Sequence, residues 1–324
     1  MGSVLAHSCV LNIESGVAMQ NSSPLSPVTG SSNVSLKDQF RSRSIINQYR
    51  CEYEIDVQSY FDGLDQIDLY ECLDTGYRFF YPPNLCGKSE LYEQLQRQSW
   101  YYLPWKWEYG IASEWIAPKD LVLEVGCGKG EFLKGLTAER QAICTGLELN
   151  EEAVRQGSKA GLKILNQEVQ AHAQDAPTSY DVVCSFQVLE HISLVKDFIS
   201  ACCDALKPGG KLIFGVPNNN PFLFKYDKYH TLNLPPHHMG LWNQESLTNL
   251  QNIFHLKLQY LKIEPLQKGD IDHYYYIQAQ HWGKRNAFYG KVLSSALAPS
   301  ARKLLRSMSH FVQGRNILVV YEKL

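Results

Sequence analysis

The sequence predicts an α/β fold, in which a mostly parallel sheet is covered by helices on both faces. Three observations predict it. From residue 118 short, fully apolar segments alternate with helical ones, as strands buried on both faces require. The first of these segments breaks into "VLEVGCGKGEFL", which packs three glycines into five positions at a strand-to-helix turn. After Pro217 the alternation stops in a loop dense in Pro, Asn, Tyr and His, so the sheet's regular part ends there.

Taken in order, residues 1 to about 44 are rich in Ser, Asn and Pro and show no sustained periodicity, which predicts a mostly disordered leader. Residues 45–117 are unusually aromatic and predict a small N-terminal α+β extension. There "LYECLDTGYRFFYPP" reads as short strands ended by Pro82-Pro83, and "SWYYLPWKWEYGIASEW" as an aromatic helix. The last domain is expected to run from 118 to 324. "DLVLEVG" is β-like, "GEFLKGLTAER" helical, "AICTGLELN" β-like, and "NEEAVRQGSKAG" helical with a glycine stop. "LKIL", "YDVVCSF" and "GKLIFGVP" continue the sheet. "LTNLQNIF" (helix), "LQYLKIEPL" (strand), a basic helical insert at about 284–313 and the strand "NILVVYEKL" complete it.

Composition narrows the function. Hydrophobic content of 44% and charged content of 20% describe an ordinary globular chain. A formal net charge of −2 argues against a nucleic-acid partner, and no apolar run approaches the roughly 18 residues of a membrane span. The nine cysteines form no C-x-x-C pair, and with no basic flank of a signal peptide they predict reduced thiols in a cytoplasmic protein.

The glycine turn sets the chemistry. A buried strand breaking into such a turn is expected to offer backbone N–H groups, and room for close approach, to a ligand. A dinucleotide fingerprint needs a glycine where Glu131 stands, and the lysine-containing phosphate loop is absent. What remains is G-x-G-x-G, with Glu124 in the strand and Glu148 at the end of the next one. A carboxylate at the second position suits ribose hydroxyls, and one beside the turn suits an ammonium group and repels pyrophosphate. Together they describe S-adenosylmethionine. The plainer alternative is that the glycines only permit a tight turn.

With "TGLELN", "YDVVCSFQVLEHI" and "ALKPGGKLIFGVPN" in the same order, the chain resembles the class I S-adenosylmethionine-dependent methyltransferases, closely over about 118–220 and loosely over 45–324. The resemblance implies a Rossmann-like seven-stranded sheet whose last strand is antiparallel. It implies that Gly126, Cys127, Gly128 and Gly130 meet the methionine part with Glu124 as support. Glu148, with Leu149 beside it, takes the ribose. Glu168, with Val169, meets the adenine, and Gln187 faces the methyl donor. Asp175 and Asp181 read as loop and strand-start residues.

The activity this implies is methyl transfer to a small polar acceptor, foremost a hydroxyl of a sugar or related compound. N-methylation of an amine and a non-catalytic cofactor-binding regulator are the alternatives. A hydroxyl acceptor calls for a general base, and His191, His237 and His238 are the candidates, whereas His230 reads as structural. For His238 a structural role, capping the next helix, is an equal alternative. "LEHI" also resembles the ubiquinone-biosynthesis O-methyltransferases, where acids and a histidine on this turn hold a divalent ion. Gln187 replaces the first acid, so no metal is expected. "YECLDTGYRFFYPP" resembles half of a zinc ribbon, but Thr75 stands where a cysteine is needed, so a metal-free lid is expected. Trp105, Trp107 and Glu108 either close over the cofactor or pack an amphipathic helix on the core, the second being favoured.

Overall fold

The structure is a computed structural model of the 324-residue chain and describes residues 24–98, 101, 105–285 and 298–324. In chain order, the N-terminal part contains β1 (Val34–Arg41), α1 (Ser42–Tyr53), β2 (Gln66–Cys72), β3 (Arg78–Tyr81), α2 (Ser89–Leu95) and α3 (Trp107–Ser113). Then come β4 (Leu121–Val125), α4 (Glu131–Arg140), β5 (Ile143–Leu147), α5 (Glu151–Lys159), β6 (Ile164–Leu165) and α6 (Val169–Asp175). They are followed by β7 (Tyr180–Phe186), α7 (Val195–Ala205), β8 (Leu206–Pro217), β9 (Gly240–Leu241) and α8 (Gln244–Asn249). The chain closes with β10 (Leu256–Pro265), α9 (Ile271–Arg285), α10 (Ala298–Met308) and β11 (Gln313–Lys323).

Seven strands form one sheet in the order β10-β11-β8-β7-β4-β5-β6. β4 to β8 pair in parallel, and β11 runs antiparallel to both β8 and β10. The expected seven-stranded sheet with an antiparallel last strand is therefore present. Its apolar strands feed two cores. Val182, Cys184, Ile213, Leu318 and Val320 point to one face, where α3 and α4 bring Tyr109, Ala112, Phe132 and Leu136. Their neighbours Val183, Leu212, Phe214 and Val319 point to the other, where α7 brings Phe198 and Ile199. Each such side chain, fully buried, contributes about 1.5–3 kcal/mol.

The boundaries need correction. Residues 24–44 are not part of a leader: Val28 is fully buried, and β1 pairs antiparallel with β2, setting Phe40 against Ile67. β1 is an edge strand whose "LKDQ" stretch is mostly polar, so only Phe40 is buried in it, and apolar periodicity could not show it. Residues 1–23 lie outside the described residues. The helical insert begins earlier than 284, since α9 starts at Ile271, and residues 286–297 of it also lie outside. Within the aromatic stretch the described helix is α3, whose Tyr109 and Ala112 pack on the sheet, while Trp105 is 64% exposed.

The extension is not a separate unit. Its sheet, β1-β2-β3-β9, is completed by β9 from the loop after β8, with Phe79 opposite Gly240 and Arg78 opposite Leu241. Leu234, Met239 and Leu241 of that loop share one core with Phe40, Ile45, Tyr49 and Phe80.

Candidate functional site

The glycine turn leaves β4 at the C-terminal edge of the parallel strands, where open α/β sheets receive ligands. Gly126, Gly128 and Gly130 have φ of +75°, +54° and +81°, the left-handed region that favours glycine. A Cβ on Gly126 would stand 2.4 Å from Val188, and one on Gly130 2.5 Å from Leu162. At these two positions the protein's own packing already excludes a side chain. The backbone donors are also spent internally. The N–H groups of Gly126 and Cys127 donate to Leu147 O, that of Gly130 to Cys127 O, and that of Gly128 to Glu148 Oε2 at 2.8 Å. Three of these amides hold the turn to the end of β5, and that of Gly130 closes the turn itself.

What the turn offers instead is an acid. Glu124 is buried, and its Oε2 has no hydrogen-bond partner. Burial pushes its carboxyl up to about 8, against the pull of Lys106 and with a further push from Glu148. An unpartnered buried acceptor of this kind fits the ammonium of S-adenosylmethionine, and would ionise against it. Glu148 is oriented by the backbone: Oε2 accepts from Gly128, and Oε1 accepts from Leu149 and Asn150 at 2.9 and 2.8 Å. Three of its roughly four acceptor positions are taken, so about one remains for a ribose hydroxyl. Leu149 is exposed beside it, and Asn166 ties this loop to the end of β6 by donating to the carbonyls of Glu148 and Leu149. Glu168 stands at the start of α6, past the third parallel strand, while Val169 packs into the core behind it. Asp175 accepts from Gln167, and Asp181 pairs with Lys207 at 2.7 Å and accepts from Leu121 N.

Gln187 follows β7 with a φ of +60°. Its Nε2 donates to Glu108 Oε1 at 2.7 Å and to Asn316 Oδ1 at 3.3 Å, and Asn316 donates to Glu264 Oε2 at 2.9 Å. Its amide nitrogen is thus tied to α3 and β11. Burial raises both carboxyls of this network, that of Glu264 to about 7. Asn316 and Glu264 carried no sequence signal, because the final strand and β10 bring them in from far along the chain, Asn316 from 129 residues beyond Gln187.

The three candidate histidines come together. His191 follows β7, and His237 and His238 sit in the loop before β9. The rings of His237 and His238 stack at 4.6 Å, and His191 meets them at 4.6 and 5.0 Å. Each Nδ1 faces an oxygen: His191 that of His237 O at 2.6 Å, His237 that of Leu232 O at 2.8 Å, His238 that of Asn233 Oδ1 at 3.1 Å. Asn233 Nδ2 is itself spent on Asn219, so its Oδ1 is the acceptor toward His238. Each Nδ1 therefore donates, and each Nε2 keeps a lone pair. Burial holds all three imidazoles neutral, that of His191 down to about 4. None caps the next helix: Asn243 and Ser246 cap α8 reciprocally. Next to His191, Glu190 is buried with Oε2 unpartnered, and burial pushes its carboxyl up to about 8. Lys106 acts electrostatically on Glu124, Glu190 and His191 alike, so the acid of the turn and the histidines lie within reach of one cation. His230 belongs to a different group, with Asp227 and His273.

Residues 108–259 match the family model of a methyltransferase domain. A ubiquinone biosynthesis O-methyltransferase of Idiomarina loihiensis is 39% identical over 105 residues, which are 31% of this chain and 43% of that protein. The ubiquinone biosynthesis O-methyltransferase of Stutzerimonas stutzeri is 28% identical over 178 residues, 48% of this chain and 76% of that protein. The chain thus spans less than half the length of the first relative. Among solved structures, a coclaurine N-methyltransferase superposes with a TM-score of 0.46 at 11% identity, covering 66% of this chain and 71% of that one.

Proposed function

We propose that the chain is a class I S-adenosylmethionine-dependent methyltransferase, as its methyltransferase-domain match and its sheet support, and that it carries the methyl group of S-adenosylmethionine to a hydroxyl of a small polar acceptor. The observation that carries the reading is the cluster of neutral imidazoles at the edge of the sheet where the glycine turn lies. When bound, the cofactor supplies a methyl group on a sulfonium, already a strong electrophile, so alignment and exclusion of water do most of the work. Glu124 receives the ammonium and Glu148 a ribose hydroxyl, with Leu149 and Glu168 placed toward the adenine. An amine acceptor would need little more. A hydroxyl must also lose its proton as the methyl arrives, and a neutral Nε2 at His191, His237 or His238 is an acceptor for it.

The relatives, named as O-methyltransferases of ubiquinone biosynthesis, support a hydroxyl acceptor for this chain too. The decisive experiment is transfer of labelled methyl from S-adenosylmethionine to a panel of hydroxyl and amine metabolites. Methyl ethers are the expected products. Label found only on nitrogen would replace this reading, and cofactor binding without turnover on any acceptor would favour a regulator.

A further inference from the structure

We propose that His191, His237 and His238 form a binding site for one divalent first-row transition-metal ion, of which zinc is the representative, held through their three Nε2 atoms. With an ion on all three Nε2 atoms none of them would act as the base, and the ion's open position would instead take the acceptor hydroxyl and lower its pKa. Here a ligand atom from each of the three residues lies within 4.8 Å of the other two. Four-coordinate zinc with Zn–N of about 2.0–2.1 Å sets its nitrogens roughly 3.4 Å apart, so the ion would draw the widest pair in by at most about 1.4 Å. Imidazole suits these ions, and three protein ligands leave the open position of a reactive site rather than a structural one.

The surroundings make the case stronger than proximity does. Oriented metal-binding histidines donate the other ring N–H to an oxygen, which fixes the tautomer and turns the free nitrogen inward. All three do so here, two of them onto backbone carbonyls that no rotation can withdraw. Glu190 stands beside the cluster, its buried carboxyl having one oxygen without a partner and the other 3.9 Å from His191 Nε2. Lys106 is the opposing cation. The hydroxyl of Tyr101, 3.1 Å from His237 Nε2, occupies that lone pair and would have to give way to the ion.

The proposal departs from the expectation of no metal, which rested on Gln187 in the "LEHI" turn and Thr75 in the ribbon-like segment. His237 and His238 share no ligand spacing with His191 in the sequence, because the turn and the loop lie 46 residues apart.

The test uses the full-length protein stripped with a chelator, with neither cofactor nor acceptor present, so its outcome is independent of the methyl-transfer reading. Zinc titrated by calorimetry is expected to bind at one ion per chain. Cobalt(II) is expected to give the intense visible bands of a four-coordinate nitrogen site. His191→Ala and His238→Ala should each weaken zinc binding at least a hundredfold, whereas His273→Ala, in the Asp227–His230–His273 group, should leave it unchanged. If the histidine variants do not fold, the cobalt spectrum of the unaltered protein decides alone. No stoichiometric zinc, an octahedral cobalt spectrum, or zinc lost only in His273→Ala would each overturn the site.

Discussion

The glycine turn and the histidine cluster stand at the same edge of one sheet and are built in opposite ways. The turn is local: its left-handed glycines, its spent amides and its acids come from β4, β5 and the residues that join them to the next helices. The cluster is assembled. His191 arrives on the loop after β7, while His237 and His238 ride a loop that the N-terminal extension holds in place. Tyr49 donates to Leu234 O at 2.9 Å, Thr231 to Glu52 at 2.7 Å, and Arg78 to Asn219 O at 2.6 Å, while β9 completes the extension's sheet. The cofactor side should therefore tolerate damage to the extension, and the acceptor side should not.

Deleting residues 24–41 tests that difference most severely. It removes β1 and uncovers Ile67, Leu69 and Phe80, each worth about 1.5–3 kcal/mol when buried. The melting temperature should fall by roughly 10 °C or more, and methyl transfer should fail before cofactor binding does. An unchanged melting curve with full turnover would mean that the extension does not hold the loop.

Within the cluster, His238→Ala should lower turnover by about 10²–10⁴-fold and leave cofactor affinity unaltered. Normal turnover in a less stable protein would make His238 a packing residue joined to Asn233. On the other side, Glu148→Ala should weaken cofactor binding by about 1–3 kcal/mol, since it strips the acceptor from three backbone N–H groups as well as from the ribose. A loss below a few tenths would place the ribose elsewhere.

The smallest effect is on stability against pH. Burial raises the carboxyls of Glu124 and Glu190 from 4.5 to about 8, so the stability linked to them is full below pH 4.5 and is lost as pH rises through 8. His191 is depressed from 6.5 to about 4, so its contribution is present above 6.5 and lost as pH falls through 4. The cofactor-free protein should be more stable at pH 6.5 than at pH 9, and Glu124→Gln should flatten that alkaline fall. An equal fall in the variant, followed by thermal melts across pH, would assign the linkage to other groups.

The comparison also explains what the sequence could reveal. The alternation of strands and helices and the acids of the turn are written in short apolar runs and local spacing, and were legible, while the antiparallel last strand was implied by the resemblance to the methyltransferases. The reason for the glycines was not: Val188 and Leu162, which exclude side chains at Gly126 and Gly130, come from other loops. β1 was hidden by its polar edge, and the Gln187–Asn316–Glu264 contacts by their separation in the chain. The histidines were legible as three residues but not as a cluster, since only the folded loop brings their rings together.

The central claim is that the unpartnered carboxyl of Glu124 is where the cofactor's ammonium binds, and proton release reports it most directly. S-adenosylmethionine is titrated calorimetrically at pH 7 in buffers of different ionisation enthalpy. A carboxyl near 8 in the free protein, driven below 7 by the ammonium, should release close to one proton per cofactor bound. Glu124→Gln should release none and bind more weakly. No proton release by the unaltered protein, with equal affinity in the variant, would contradict the account.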